Sequence, residues 1–266
     1  MASFKTAAAV LAVALVAPGP GASQEDDRVD PLAMELARQT AEFLTQQNVL
    51  SFDWFVSFDE VIDGREKITF VRSGSNLLVR GEGFHSVAER GDGVREYFYD
   101  GSAFTVAAPE EGFYATAPFP DGFEALVEAA RVRAGTQVPI WTLMSADLGK
   151  NAVTNIEGAA YLGTTLIAGQ EAHHLAFTEY EEDWQLWIST DPEEPVPIMI
   201  VSTDPHQQGW PQYRAHMLNW SFDAPENAVF AYQPHEDDVR ATMPSLVPTE
   251  REQIIEGARA TGGQAQ

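Results

Sequence analysis

The sequence predicts an α+β, mainly β fold. The expected core is an antiparallel, strongly curved sheet of eleven strands. An N-terminal helix and a mid-chain helical insertion are expected to cover its concave face. Three observations lead there. The apolar period changes from helical to two after residue 48. Six short strand patterns then follow one another, two helical patterns interrupt them, and five more strands complete the series. No helix alternates with each strand, which excludes a parallel α/β sheet. Eleven strands need curvature because flat sheets of that breadth are rare, and one apolar face per strand needs cover.

The first helix starts at Asp30-Pro31. Asp30 is a capping residue, and proline fits the first helical turn. Leu32, Leu36, Phe43 and Leu44 form its apolar stripe, and it should end near Gln47-Asn48. From Leu50 to Asp59 the even positions are Leu50, Phe52, Trp54, Val56 and Phe58, and the odd ones are mostly polar. That is a strand with one face in the core. Asp63-Gly64 marks a turn. Lys67–Arg72 is the expected second strand, Ser73-Gly-Ser-Asn76 a turn, and Leu77–Gly81 the third strand. Arg95–Asp100, Ala103–Ala107 and Phe113–Ala117 complete the first set, with Asp100-Gly101 as a hairpin signal.

Gly122–Arg133 has Phe123, Leu126, Val127 and Ala130 at helical spacing, and Pro139–Leu148 is the second expected helix. Strands resume at Glu157–Leu166, Gly169–Tyr180, Asp183–Ser189, Pro197–Thr203 and Gln212–Phe222. Phe230–Tyr232 is expected to cap the sheet edge. Residues 30–235 thus form one domain. Residues 236–266 are an acidic, then polar tail, with a possible short helix at Thr249–Ala260.

Residues 1–23 have the pattern of a secretory signal peptide. Lys5 precedes the apolar run Ala7–Ala17, and small residues follow up to Ser23. The run is about half of the roughly 20 residues that a membrane helix needs. The expectation is an exported, periplasmic product that is not an integral membrane protein.

Composition removes several function classes. There are 16 Lys+Arg against 40 Asp+Glu, a formal net charge of -24. That argues against nucleic acid or an anionic membrane surface as a partner. Cysteine is absent, so disulfides, thiolate metal sites and cysteine nucleophiles are out. His173-His174 are neighbours on a strand and should point to opposite faces, so they do not chelate one ion together. No G-x-S-x-G elbow, phosphate loop or H-E-x-x-H is present. Runs of carboxylates such as Glu181–Asp183 and Glu236–Asp238 fall in expected loops and act as solubilising surface. No catalytic residue, metal or cofactor is therefore expected. The aromatic residues on the strands either fill a core or line a ligand cavity.

The segments Glu96-Tyr-Phe-Tyr-Asp-Gly-Ser102, Phe113-Tyr-Ala-Thr116, Ala172-His-His-Leu-Ala-Phe177, Asp183-Trp-Gln-Leu-Trp-Ile188 and Pro211-Gln-Tyr-Arg214 with Asn219-Trp220 carry a resemblance. Together they resemble the predicted periplasmic family called domain of unknown function 2092, over roughly residues 30 to 235. The resemblance implies a half-barrel similar to the periplasmic lipoprotein carrier (LolA-like), with helices over a hollow that holds acyl chains. It implies a non-enzymatic protein whose cargo is a lipid or an acylated protein. The expected cavity residues are Phe52, Trp54, Val56 and Phe58, with Ile68, Phe70, Trp184, Leu186 and Ile188. A filled-core protein-interaction module of the cell envelope is the alternative expectation, and an envelope hydrolase the third.

Overall fold

The computed structural model describes residues 28–133, 139–151 and 153–243. The signal-peptide pattern of residues 1–23 and the helix expected at Thr249–Ala260 lie outside them.

Helix α1 (Pro31–Gln46) begins as its sequence requires: Asp30 Oδ1 accepts from Leu32 N at 2.8 Å, with proline at the first turn. The same carboxylate reaches Tyr161 N at 3.2 Å, so the cap also ties the helix to the sheet.

Strands β1 (Val49–Ile62), β2 (Glu66–Val79), β3 (Gly83–Arg90), β4 (Gly93–Tyr99), β5 (Ala103–Ala108) and β6 (Phe113–Pro118) form one antiparallel meander. Helices α2 (Phe123–Arg133), α3 (Pro139–Thr142) and α4 (Leu148–Asn151) follow. Strands β7 (Gly158–Ile167), β8 (Gln170–Thr178), β9 (Asp183–Ser189), β10 (Pro197–Thr203) and β11 (Gln212–Ser221) form the second meander. The two halves join where β11 pairs with β1, placing β1 near the middle of one continuous sheet.

One face of this sheet carries the core. Leu50, Phe52, Trp54, Val56 and Phe58 of β1 are buried there with Leu44 of α1, Phe123 and Leu126 of α2, and Ile140 and Trp141 of α3. A second cluster joins Ala33 and Ala37 of α1 to Leu175, Phe177, Leu186 and Ile188. Helix α3 is about 6 Å long. It nevertheless borders hollows reaching from Tyr97 on β4 to Trp184 on β9, six strand spacings or about 29 Å along a flat sheet. Curvature of the sheet around the helices brings these residues together.

Several expectations are corrected. Ser73-Gly74-Ser75-Asn76 is not a turn but the middle of β2, a 14-residue strand. A Cβ at Gly74 would lie 2.7 Å from Trp54 Cζ2, so this glycine makes room for an indole across the strand pair. The real turn follows Val79, so the strand expected at Leu77–Gly81 is the end of β2 and that turn, and β3 (Gly83–Arg90) is a strand that the sequence reading missed. The helix expected over Pro139–Leu148 is two short helices with a turn between them.

Residues 222–243 also depart from expectation. Phe230 and Tyr232 pack on the outer face rather than at the edge: Tyr232 lies 5.6 Å from the Phe98 ring and 5.5 Å from that of Tyr114. The edge is met further on, where β12 (Val239–Ala241) pairs with β6 in parallel. The sheet is therefore eleven antiparallel strands plus one short parallel edge strand.

Candidate ligand-binding hollow

The helices do not fill the concave face evenly. Beneath α3 two hollows meet, and both are bordered by Ile140 and Tyr213. The inner one is small, about 40 Å³. Its floor is Trp54, Val56 and Phe58, and Trp141 closes it from above. Trp141 is held by edge-on contacts with the rings of Phe84 at 4.8 Å and Tyr97 at 5.3 Å. The outer hollow is a groove of about 440 Å³. Ile140, Leu143, Ile200, Trp184 and Ala215 give it apolar walls, and Glu179 and Glu182 line it too. A groove of that size is within the roughly 300–1,000 Å³ of small-molecule sites.

The nine residues expected to line a cavity all lie on the concave face, but the structure divides them. Trp54, Val56 and Phe58 line the inner hollow. Phe52 is packed solid, 1% exposed, with its ring 4.3 Å from that of Trp220. Leu186 and Ile188 are buried in the cluster under α1. Trp184 lines the groove, stacked on Phe177 at 4.1 Å, with its Nε1 donating to Glu179 at 2.8 Å. Ile68 and Phe70 are each 42% exposed, where β2 runs out beyond the helices. Phe70 continues the apolar floor outward, stacked on Phe58 at 5.7 Å.

The sequence reading named Tyr97 and Tyr213 among the strand aromatics that fill a core or line a cavity, but it did not single out Arg72, Arg90 or Ser86, the other polar members of the inner hollow. A signal existed for one of them, since Arg72 continues the alternation of Ile68 and Phe70 on the same face of β2. Arg72 lies over the Phe58 ring, 4.7 Å from its centre. Arg90 pairs with Asp92 at 3.2 Å. Burial pushes the phenols of Tyr97 and Tyr213 above the ordinary tyrosine range, with nearby Arg72 pulling each part of the way back. Both are neutral hydroxyl groups at physiological pH.

Three buried side chains have polar atoms with no hydrogen-bond partner among the described residues: the Thr40 hydroxyl on α1, Trp54 Nε1, and the amide of Asn76, a residue only 1% exposed. Asn76 faces Phe52 on one side and Ser86 on the other.

The two adjacent histidines separate as the strand period requires. His173 Nδ1 lies 3.1 Å from the Tyr161 hydroxyl, while His174 stacks on Trp187 at 4.2 Å and meets Gln185 at 2.9 Å. Among the described residues no group of three or more His, Asp or Glu is placed to hold a metal. Among them, too, no helix is long and apolar enough to cross a membrane.

A curved antiparallel sheet with short helices roofing an apolar hollow places this molecule in the class of half-barrel proteins. Residues 33–243 match the family described as Predicted periplasmic protein (DUF2092), and the chain belongs to that family. Comparison with curated protein sequences returns no match.

Among solved structures, LprF from Mycobacterium bovis is similar at 11% identity, with 77% of this chain and 98% of that chain covered and a TM-score of 0.49. A LolA superfamily protein from Nitrosomonas europaea is similar at 11% identity, covering 75% and 97%, with a TM-score of 0.38. Lipoprotein LppX from Mycobacterium tuberculosis is similar at 11% identity, covering 76% and 100%, with a TM-score of 0.37.

Proposed function

We propose that this protein is exported through a cleaved N-terminal signal peptide and binds a hydrophobic ligand in the periplasm without chemically altering it. The observation that carries this reading is the groove of about 440 Å³ between α3 and strands β9–β11. Its walls are mostly apolar, it opens at the surface, and it runs into the apolar floor of β1. An acyl chain of a lipid or a lipoprotein fits these features. Each buried CH₂ contributes about 0.8 kcal/mol, so sixteen carbons carry roughly 12 kcal/mol before ordering costs. The test is mass spectrometry of organic extracts from protein purified without detergent out of a periplasm. A stoichiometric acyl lipid is the expected result. A clean extract, with no uptake of a fluorescent fatty acid afterwards, overturns it.

One observation favours a second reading, a protein-interaction module with a filled core. The space left between Trp141 and the strand floor is only about 40 Å³, and Phe52, Leu186 and Ile188 are packed solid. In that reading the apolar residues exposed on the convex face, such as Phe55 and Val71, meet a partner. The same extraction separates the two.

A further inference from the structure

The inner hollow is unusual in its charge. The chain has 40 acidic residues and 16 basic ones. Yet two arginines, Arg72 and Arg90, line this hollow, and among the described residues no carboxylate does. Several cations are paired with carboxylates, and Arg90 is one of them, 3.2 Å from Asp92. Arg95 reaches Glu111 at 2.9 Å, Arg38 pairs with Glu35 at 2.7 Å, and Arg214 lies 3.5 Å from Asp59. Arg72 differs. It lies over the face of Phe58 and close to the phenols of Tyr97 and Tyr213, and among the described residues no carboxylate is within ion-pair distance of it. A guanidinium beside low-dielectric walls and without a counter-charge attracts an anion strongly.

The uncharged groups around it fit the same partner. The hydroxyl groups of Tyr97 and Tyr213 border the same space and remain protonated there. The volume points to a compact group. At roughly 10–15 Å³ per water-sized occupant, 40 Å³ holds about three heavy atoms. That is the size of a carboxylate head, or of part of a phosphate, and not of a chain. The chain-sized space is the groove next door, which shares Ile140 and Tyr213 with it. That groove is also lined by Glu179 and Glu182, which repel an anion. Among the described residues the small hollow is thus lined by cations and the groove by carboxylates.

We infer that the ligand is an anionic amphiphile whose carboxylate or phosphate head is held by Arg72, with Arg90 beside it, and whose tail lies along the groove. This rests on the proposal that the groove binds a hydrophobic ligand, and it narrows the cargo class. A neutral acyl group, such as one esterified on a lipoprotein, lacks the head that Arg72 is placed to meet.

The test compares dodecanoate, dodecanol and inorganic phosphate by calorimetric titration of the purified protein, each amphiphile kept below its aggregation limit. The expected result is that dodecanoate binds at least about tenfold tighter than dodecanol, and that phosphate binds more weakly than dodecanoate. In R72Q the affinity for dodecanoate falls to that for dodecanol, and R72K keeps a preference for the acid. Thermal unfolding of both variants verifies that they are folded. If either fails to fold, the salt dependence of wild-type binding serves instead: raising ionic strength weakens dodecanoate and not dodecanol. Equal affinity for acid and alcohol overturns the anionic head and leaves the hydrophobic-ligand reading standing. Binding of neither overturns both. Phosphate binding as tightly as dodecanoate overturns the amphiphile in favour of a plain anion pocket.

Discussion

The indole of Trp54 lies across the backbone of Gly74, its strand partner. A Cβ built at Gly74 would stand 2.7 Å from Trp54 Cζ2 and 1.9 Å from the carbonyl oxygen of Val87 on the next strand. Neither neighbour yields easily, since one is a buried ring on the floor of the hollow and the other is backbone. Overpacking of this kind costs about 1–3 kcal/mol, and a backbone clash belongs at the upper end. Gly74→Ala is therefore expected to lower stability by about 3 kcal/mol in urea unfolding. It should also tilt Trp54 and change its fluorescence. A variant with wild-type stability and an unchanged emission spectrum would show that the close approach does not constrain the fold.

Asp59 gives the stability a defined acid dependence. Its side chain is 1% exposed. Burial alone would raise its pKa. The Thr69 hydroxyl at 2.7 Å, the Gln212 N–H at 3.1 Å and the Arg214 guanidinium together hold it below the ordinary value. A carboxylate with a depressed folded pKa contributes stability that is fully present above its unfolded value of 3.8. That contribution is lost as the pH falls through the lower folded value. Asp59→Asn should cost about 1–3 kcal/mol at pH 7, the usual range for losing a charged hydrogen-bond acceptor. Wild type and variant should converge below pH 3.8. A stability difference that stayed constant across this range would assign the effect to packing instead of charge.

How much of this was legible in the sequence depended on whether a local pattern had a second explanation. The strand of Phe52, Trp54, Val56 and Phe58 was legible, because strict alternation over ten residues has one reading. The helix at Asp30-Pro31 was legible for the same reason, with cap and proline in register. Ser73-Gly74-Ser75 misled. Its residue types favour turns, and only Trp54, twenty residues earlier in the chain, explains the glycine. The cavity residues were legible as a face but not as a lining. Alternation places Phe52 and Trp54 on one side of the sheet. It is the placement of Ile140 and Trp141 that leaves space over Trp54 and none over Phe52. Arg72 carried a weak signal. A charged residue on the apolar face of a strand reads equally as the end of that face.

The groove offers the most direct test of ligand binding, through a residue that can be enlarged without disturbing the core. Ile200 on β10 is only partly buried, and it forms one wall of the groove beside Ala215 and Trp184. Ile200→Trp puts a larger side chain into the space assigned to the tail. An indole there displaces at least about two methylene groups of a bound chain. At about 0.8 kcal/mol each, that is roughly a tenfold loss of affinity. Fluorescent fatty-acid uptake should fall by about that factor. Stability should change little, because the new ring occupies solvent-accessible space and not the packed clusters under α1 and α2. Wild-type uptake by a folded Ile200→Trp protein would place the chain elsewhere on the molecule. A loss of uptake together with collapse of the thermal transition would show instead that Ile200 belongs to the core. Calorimetric unfolding run beside the binding assay distinguishes these outcomes.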